Sequence, residues 1–143
     1  MIDLSSYQNK STEDRRRCSF HFVFVPKYRR RVFVNEDKRF MLKEFLKKIC
    51  EKYAIGIHAL EVAPDHVHLF AELPISMSVS YAIRLLKSRS AKLMFQAFPN
   101  YRKLYPKGHF WNGYAYYESI GRVTASKIEK YIRESQSKHM HGK

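Results

Sequence analysis

The stretch Ile55-Gly56-Ile57-His58-Ala59-Leu60-Glu61-Val62-Ala63-Pro64-Asp65-His66-Val67-His68-Leu69-Phe70-Ala71-Glu72-Leu73 decides the fold. Ile55 to Val62 reads as one strand, Pro64-Asp65 as a turn, and His66 to Leu73 as a second strand, so the two form a hairpin. On a strand, residues i and i+2 share a face with Cα atoms ~7 Å apart. His66 and His68 therefore point one way, while Val67, Leu69 and Ala71 point the other way, into a core. Two neutral imidazoles side by side can hold one divalent cation through their ring nitrogens. The spacing leaves this reading open against a purely structural pair, and two ligands need a third from elsewhere.

Outward from the hairpin, Cys18 to Pro26 (CSFHFVFVP) is a strand by its aromatic and β-branched content. It is apolar on both faces, which marks it as an edge in need of cover. Lys27 to Arg31 follows as a basic loop. Asn35 caps a helix over Glu36 to Lys52, with Phe40, Met41, Phe45, Leu46 and Ile49 at helical spacing. Ser78 or Ser80 caps a second helix that ends before Pro99, its inner side marked by Ile83, Leu86, Ser90, Leu93 and Ala97. Asn100 to His109 reads as a loop. Phe110 to Ser119 reads as a fourth strand, with Gly113 a bulge or close approach. Thr124 opens a last helix with Ile128 and Ile132 one turn apart.

The order strand, helix, strand, strand, helix, strand is the split βαβ arrangement. The expected class is α+β: a ferredoxin-like two-layer sandwich with helices on one face of an antiparallel sheet, plus a C-terminal helix. The other face is left for a site or a partner. The 143 residues make one domain, with a polar arm over 1–17 and a frayed tail over 137–143.

Lys and Arg total 27 against 13 Asp and Glu, a formal net charge of +14 that points to a polyanionic partner. Arg29, Arg30 and Arg31 with Lys27 form one cluster; Arg84, Lys87, Arg89 and Lys92 decorate the second helix. One such cluster would be a solvated face, but several without balancing acids favour a phosphate track. The ten Tyr and ten Phe suit stacking on single-stranded bases, although the Phe residues are better read as core. Residues 1–10 contain no signal-peptide core, and no apolar run approaches the ~20 residues of a membrane span. Cys18 and Cys50 are expected to behave as small hydrophobes in a reducing cytoplasm. A metal pair on so basic a chain suggests metal-assisted chemistry on nucleic-acid phosphates.

Taken together, the residues resemble the single-tyrosine (Y1) HUH transposases of the IS200/IS605 type. The resemblance spans residues 18 to 136 and rests on five motifs in order. These are Phe24-Val25-Pro26-Lys27-Tyr28-Arg29-Arg30-Arg31-Val32-Phe33, then Pro64-Asp65-His66-Val67-His68-Leu69, then Leu86-Lys87-Ser88-Arg89-Ser90. Phe110-Trp111-Asn112-Gly113-Tyr114 and Ile128-Glu129-Lys130-Tyr131-Ile132 complete the series.

The resemblance implies a metal-dependent nuclease and strand transferase acting on single-stranded DNA with hairpin ends. It implies Mg²⁺ or Mn²⁺ on His66 and His68, and Tyr131 as the nucleophile that forms a 5′-phosphotyrosine. It further implies a homodimer whose sites are shared between subunits, working in the cytoplasm in association with the nucleoid. The family has Gln four residues after the tyrosine, completing the metal site. Here position 135 is Ser and the glutamine is Gln136. Four residues return to within ~40° on a helix, whereas five overshoot to ~140°. The third ligand is therefore Gln136, Ser135, Glu134 or a water.

Two other readings share parts of this pattern. A repeat-associated or domesticated relative would keep the chemistry. A non-catalytic RNA-binding module of the same fold would stack bases on sheet aromatics and need neither His66 nor Tyr131. A histidine-triad hydrolase needs a third histidine where Phe70 stands.

Overall fold

The computed structural model describes residues 18–120 and Lys130. The expected last helix, Tyr131, Gln136, the arm and the tail lie outside the described residues. Four strands form one antiparallel sheet: β1 (Cys18–Phe24), β2 (Gly56–Ala63), β3 (His66–Leu73) and β4 (Tyr116–Ile120). Their order is β2-β3-β1-β4. With α1 (Glu36–Lys52) between β1 and β2 and α2 (Val79–Ala97) between β3 and β4, this is the ferredoxin-like α+β sandwich.

β1 is thus an inner strand, bonded to β3 and β4, and not the edge that its apolar pattern suggested. Its two apolar faces reflect burial on both sides of a central strand. It stops at Phe24, because Pro26 lacks an N–H for the ladder and makes a single bridge to Trp111. The fourth strand is shorter than expected. Phe110 to Ala115 runs irregularly, and Tyr101–Leu104, inside the expected loop, makes one helical turn, α3.

Asn35 caps α1 by accepting from the amides of Asp37 and Lys38, at 2.8 and 3.3 Å. Ser78 caps α2 by accepting from the Tyr81 amide at 3.1 Å. Leu46 and Ile49, and Leu86 and Ser90, are buried as expected, but the centre of each inner stripe is shifted from the sequence expectation. In α1 the buried residues are Leu42, Leu46, Ile49 and Cys50, while Phe40 is 59% exposed. In α2 they are Ala82, Leu85, Leu86, Ser90, Met94 and Phe95. Two residues along a helix turn by ~200°, so Phe40 and Leu42 cannot share a face.

Both helices pack on one sheet face. There Phe22 and Phe24 of β1 and Val67, Leu69, Ala71 and Leu73 of β3 meet the helix stripes. Trp111 closes the far end of this core, its Nε1 donating to buried Ser90 Oγ at 3.0 Å. Cys50 is part of the core, but Cys18, at the start of β1, is exposed. No described helix is long and apolar enough to cross a membrane.

Candidate active site

Alternation places the two histidines. Val67 and Leu69 are fixed in the core, so His66, His68, Phe70 and Glu72 take the opposite face of β3. β1 pairs in register, Phe22 with Leu69 and Val23 with His68, which puts Ser19, His21 and Val23 on the histidine face. β4 brings Glu118 opposite His21 and Tyr116 opposite Val23. This face is buried at its centre: His66, His68, His21 and Phe70 are 2%, 7%, 2% and 1% exposed.

The buried imidazoles converge. His66 Nε2 lies 3.0 Å from His68 Nε2. Behind His66, its Nδ1 donates to Asp65 Oδ1 at 2.8 Å, and Arg29 Nε donates to Asp65 Oδ2 at 3.1 Å. Behind His68, its Nδ1 lies 2.9 Å from His21 Nε2, and His21 Nδ1 lies 3.5 Å from Glu118 Oε2. A relay of six side chains therefore runs from the basic loop to the fourth strand, with the paired Nε2 atoms at its middle.

Two pKa shifts report the ends of the relay. Burial acts to raise Asp65, but the His66 and Arg29 donors outweigh it and hold the carboxyl below its ordinary value. Burial lowers the His21 pKa against the opposing pull of Glu118, so the ring is neutral at physiological pH. Asp65 also fixes His66 as the Nδ1–H tautomer, turning the Nε2 lone pair toward His68. A carboxylate behind a histidine is the usual support of a metal-binding imidazole.

The separation fits a divalent cation. Two nitrogens on one edge of an octahedron with bonds of ~2.1 Å lie about 3.0 Å apart. A tetrahedral zinc site with similar bonds would set them about 3.3 Å apart. Among the described residues, no group of three or more His, Cys, Asp or Glu gathers as a metal site. The described part of the site thus offers two nitrogens and no third protein donor of those types.

The basic residues separate into different roles. Tyr28 and Arg29 have φ of 64° and 50°, a left-handed pair without glycine. Arg29 reaches Asp65 from this turn while its side chain stays more than half exposed. Lys27 and Arg30 lie over the Tyr28 ring, and Arg30 also over Tyr105. Exposed Arg31 lines a small cleft with Lys38, Tyr101 and Leu104. Arg84 and Lys87 line a groove of about 720 Å³ between α2 and residues 108–113, with Lys92, Arg102 and Trp111. Lys87 Nζ donates to the Asn112 carbonyl and, at 3.4 Å, to that of Tyr114; burial lowers its pKa. Arg89 leans over the Tyr53 ring at 5.3 Å. It lies five residues from Arg84, ~140° around the helix, and so does not join this groove.

The sequence reading missed His21, Glu118 and the supporting role of Asp65. The signal for His21 was present: it alternates with Phe20, Phe22 and Phe24 and must face away from them.

Comparison with known proteins places this sequence in a family. The family model "Transposase IS200 like" matches residues 14–135. The chain belongs to the IS200-like transposases. The IS200 insertion-element transposase of Salmonella typhimurium is 36% identical over 116 residues, covering 81% of this chain and 75% of the relative. The ISDra2 transposase TnpA of Deinococcus radiodurans is 30% identical over 119 residues, covering 83% and 84%. Among solved structures, a protein from D. radiodurans R1 described as a transposase superposes with a TM-score of 0.67 at 30% identity, covering 82% of this chain and 90% of that one. A REP-associated tyrosine transposase, solved bound to a REP hairpin, has a TM-score of 0.59 at 20% identity, covering 85% and 68%. That likeness shows the shared fold. In this IS200-like chain, Tyr131 falls inside the matched span and Gln136 one residue beyond it.

Proposed function

We propose that this transposase cuts and rejoins single-stranded DNA at insertion-sequence ends through a covalent link to Tyr131, with His66 and His68 holding Mg²⁺ or Mn²⁺. The observation that carries this reading is the buried Nε2 pair, 3.0 Å apart and backed by a carboxylate. A divalent ion held there withdraws charge from the scissile phosphate and stabilises the leaving oxygen. The phenolic oxygen of Tyr131 attacks phosphorus; the P–O3′ bond breaks and the 3′-oxygen leaves as a 3′-OH. The 5′-phosphotyrosine keeps the bond energy, so a 3′-OH reverses the step without ATP. The third ligand comes from Gln136, Ser135, Glu134 or a water.

The groove bearing Arg84 and Lys87 and the cleft bearing Arg31 offer cations to phosphates, and the net charge of +14 supplies long-range attraction. Hairpin ends are the proposed partner; a protein of the same fold was solved on a REP hairpin. The proposed assembly is a homodimer with shared sites, which requires dimer mass in light scattering at micromolar concentration.

The RNA-binding alternative needs accessible rings on the central strands of the sheet face opposite α1 and α2. Phe70 and His21 there are 1% and 2% exposed, which favours the nuclease reading.

The test is a labelled single strand carrying a transposon end, incubated with Mn²⁺ and resolved under denaturing conditions. Wild type should give a protein–DNA adduct and Tyr131→Phe none, with DNA binding retained. Tyr116 is the control, because it alone of Tyr114, Tyr116 and Tyr117 is shown by strand register to lie on the histidine face. The neighbouring Glu118 raises its pKa, making it the poorer nucleophile. An adduct that persists in Tyr131→Phe and disappears in Tyr116→Phe overturns the assignment.

A further inference from the structure

We infer that His21, set by Glu118, is a positioning residue that fixes His68 as its Nδ1–H tautomer and so aims the His68 Nε2 lone pair at Nε2 of His66. The consequence for metal affinity rests on the reading of His66 and His68 as ligands; the tautomer itself does not.

Glu118 and His21 are direct partners across β4 and β1, and an ionised carboxylate only accepts hydrogen bonds. The His21 nitrogen facing it is Nδ1, at 3.5 Å, outside hydrogen-bond geometry but within ion-pair range, and the adjacent negative charge favours the single ring proton there. His21 Nε2 is then an acceptor. It sits 2.9 Å from His68 Nδ1, which must donate, and a neutral His68 is left with its lone pair on Nε2. Asp65 imposes the same tautomer on His66 from the other end. Two carboxylates, Asp65 in the β2–β3 turn and Glu118 on β4, thus turn both lone pairs toward one point.

The His21 ring is held in the required plane. It stacks on Phe70 with centroids 4.3 Å apart and 4° between planes, and it is 17° from parallel with His68. The stack sets the plane, and the contacts of Nε2 with His68 and of Nδ1 with Glu118 select between the two flips of the ring in that plane. Phe70, the residue where a third histidine would have stood, thereby serves the pair as a wall.

The experiment compares wild type, His21→Phe and His21→Gln. Phenylalanine keeps a ring against Phe70 but removes the acceptor, whereas the glutamine amide oxygen can accept from His68 Nδ1. The first readout is the ¹⁵N and ¹H pattern of the His68 ring in metal-free protein at mildly alkaline pH. Wild type and His21→Gln should show the Nδ1–H form, and His21→Phe should lose its dominance. The second readout is Mn²⁺ binding followed by electron paramagnetic resonance. His21→Phe should bind about 10- to 100-fold more weakly, and His21→Gln should recover most of the loss.

A wild-type His68 protonated on Nε2 overturns the inference without recourse to any variant. So does a folded His21→Phe protein that keeps the Nδ1–H form. If wild type shows the expected tautomer but no Mn²⁺ binding that depends on His66 and His68, the metal reading fails while the positioning role stands.

Discussion

Arg29 Nε donates to Asp65 Oδ2 at 3.1 Å, while the other oxygen of the same carboxylate accepts from His66 at 2.8 Å. A residue of the basic loop is thereby engaged with the histidine pair through one shared acid. The left-handed conformation of Tyr28 and Arg29, costly for residues other than glycine, serves this contact. Arg29 holds Asp65 with a side chain that stays more than half exposed.

Asp65→Ala should weaken Mn²⁺ binding about 10- to 100-fold, because His66 loses the acceptor that fixes its tautomer. The same variant has a pH signature. The Asp65 pKa is lowered in the folded protein, so its stabilising effect is present above the unfolded value near ~4 and is lost as pH falls through the folded value. Urea midpoints of wild type and Asp65→Ala should therefore differ at pH 7 and converge in acid. A difference that grows on acidification would reverse the sign of this linkage.

His66→Ala and His68→Ala should each abolish cleavage while leaving hairpin affinity within a few fold. The scissile phosphate is one contact among many, and most affinity comes from cations spread over the surface. Gel shift and cleavage measured on the same labelled hairpin separate the two effects. Cleavage retained by the double variant would remove the histidines from the chemistry.

Affinity itself should fall steeply with salt. For Z phosphates contacted on a single strand, log K should drop against log salt with a slope of about −0.7Z. Arg84→Ala, on the rim of the groove beside α2, should reduce that slope by less than one. A flat response in wild type would contradict a charge-driven partner.

Ser90→Ala should destabilise the fold by about 1–3 kcal/mol in chemical denaturation. Ser90 Oγ is the acceptor for buried Trp111 Nε1, and a methyl group leaves that N–H unsatisfied. An unchanged midpoint would mean that the indole finds another acceptor.

The two thiols should differ sharply toward an aromatic disulfide reagent near pH 8. Cys18 is exposed, whereas burial pushes Cys50 up to about 12. One thiol should react quickly and the second only on unfolding. Two equally fast thiols would place Cys50 outside the core.

Much of the fold was legible because local and global signals agreed. The hairpin was set by alternation around Pro64-Asp65, and both α1 and α2 carried real caps at Asn35 and Ser78. β1 misled because composition cannot separate an edge strand from an inner one; only its pairing with β3 and β4 does. The path of Phe110 to Ala115 was lost for a similar reason. Trp111 is held by a long-range bond to Ser90 and a bridge to Pro26, which no local pattern displays. At the site, the shared face of His66 and His68 was legible from spacing. Their supports were not, because His21 and Glu118 reach His68 from two other strands.

The two-residue turn at Pro64-Asp65 has a consequence for how this chain can change in length. Ala63 pairs with His66 directly across it, and Phe33 donates to the Pro64 carbonyl at 3.0 Å. One residue inserted between His66 and His68 would send one imidazole into the core and a core side chain into its place. One residue inserted into the turn itself would leave β3 held by β1 but carry Asp65 away from His66. Descendants of this gene can therefore lengthen freely only where neither constraint applies, as in the exposed stretch at 106–107. Spacing along this hairpin is therefore as much a part of the site as the histidines themselves.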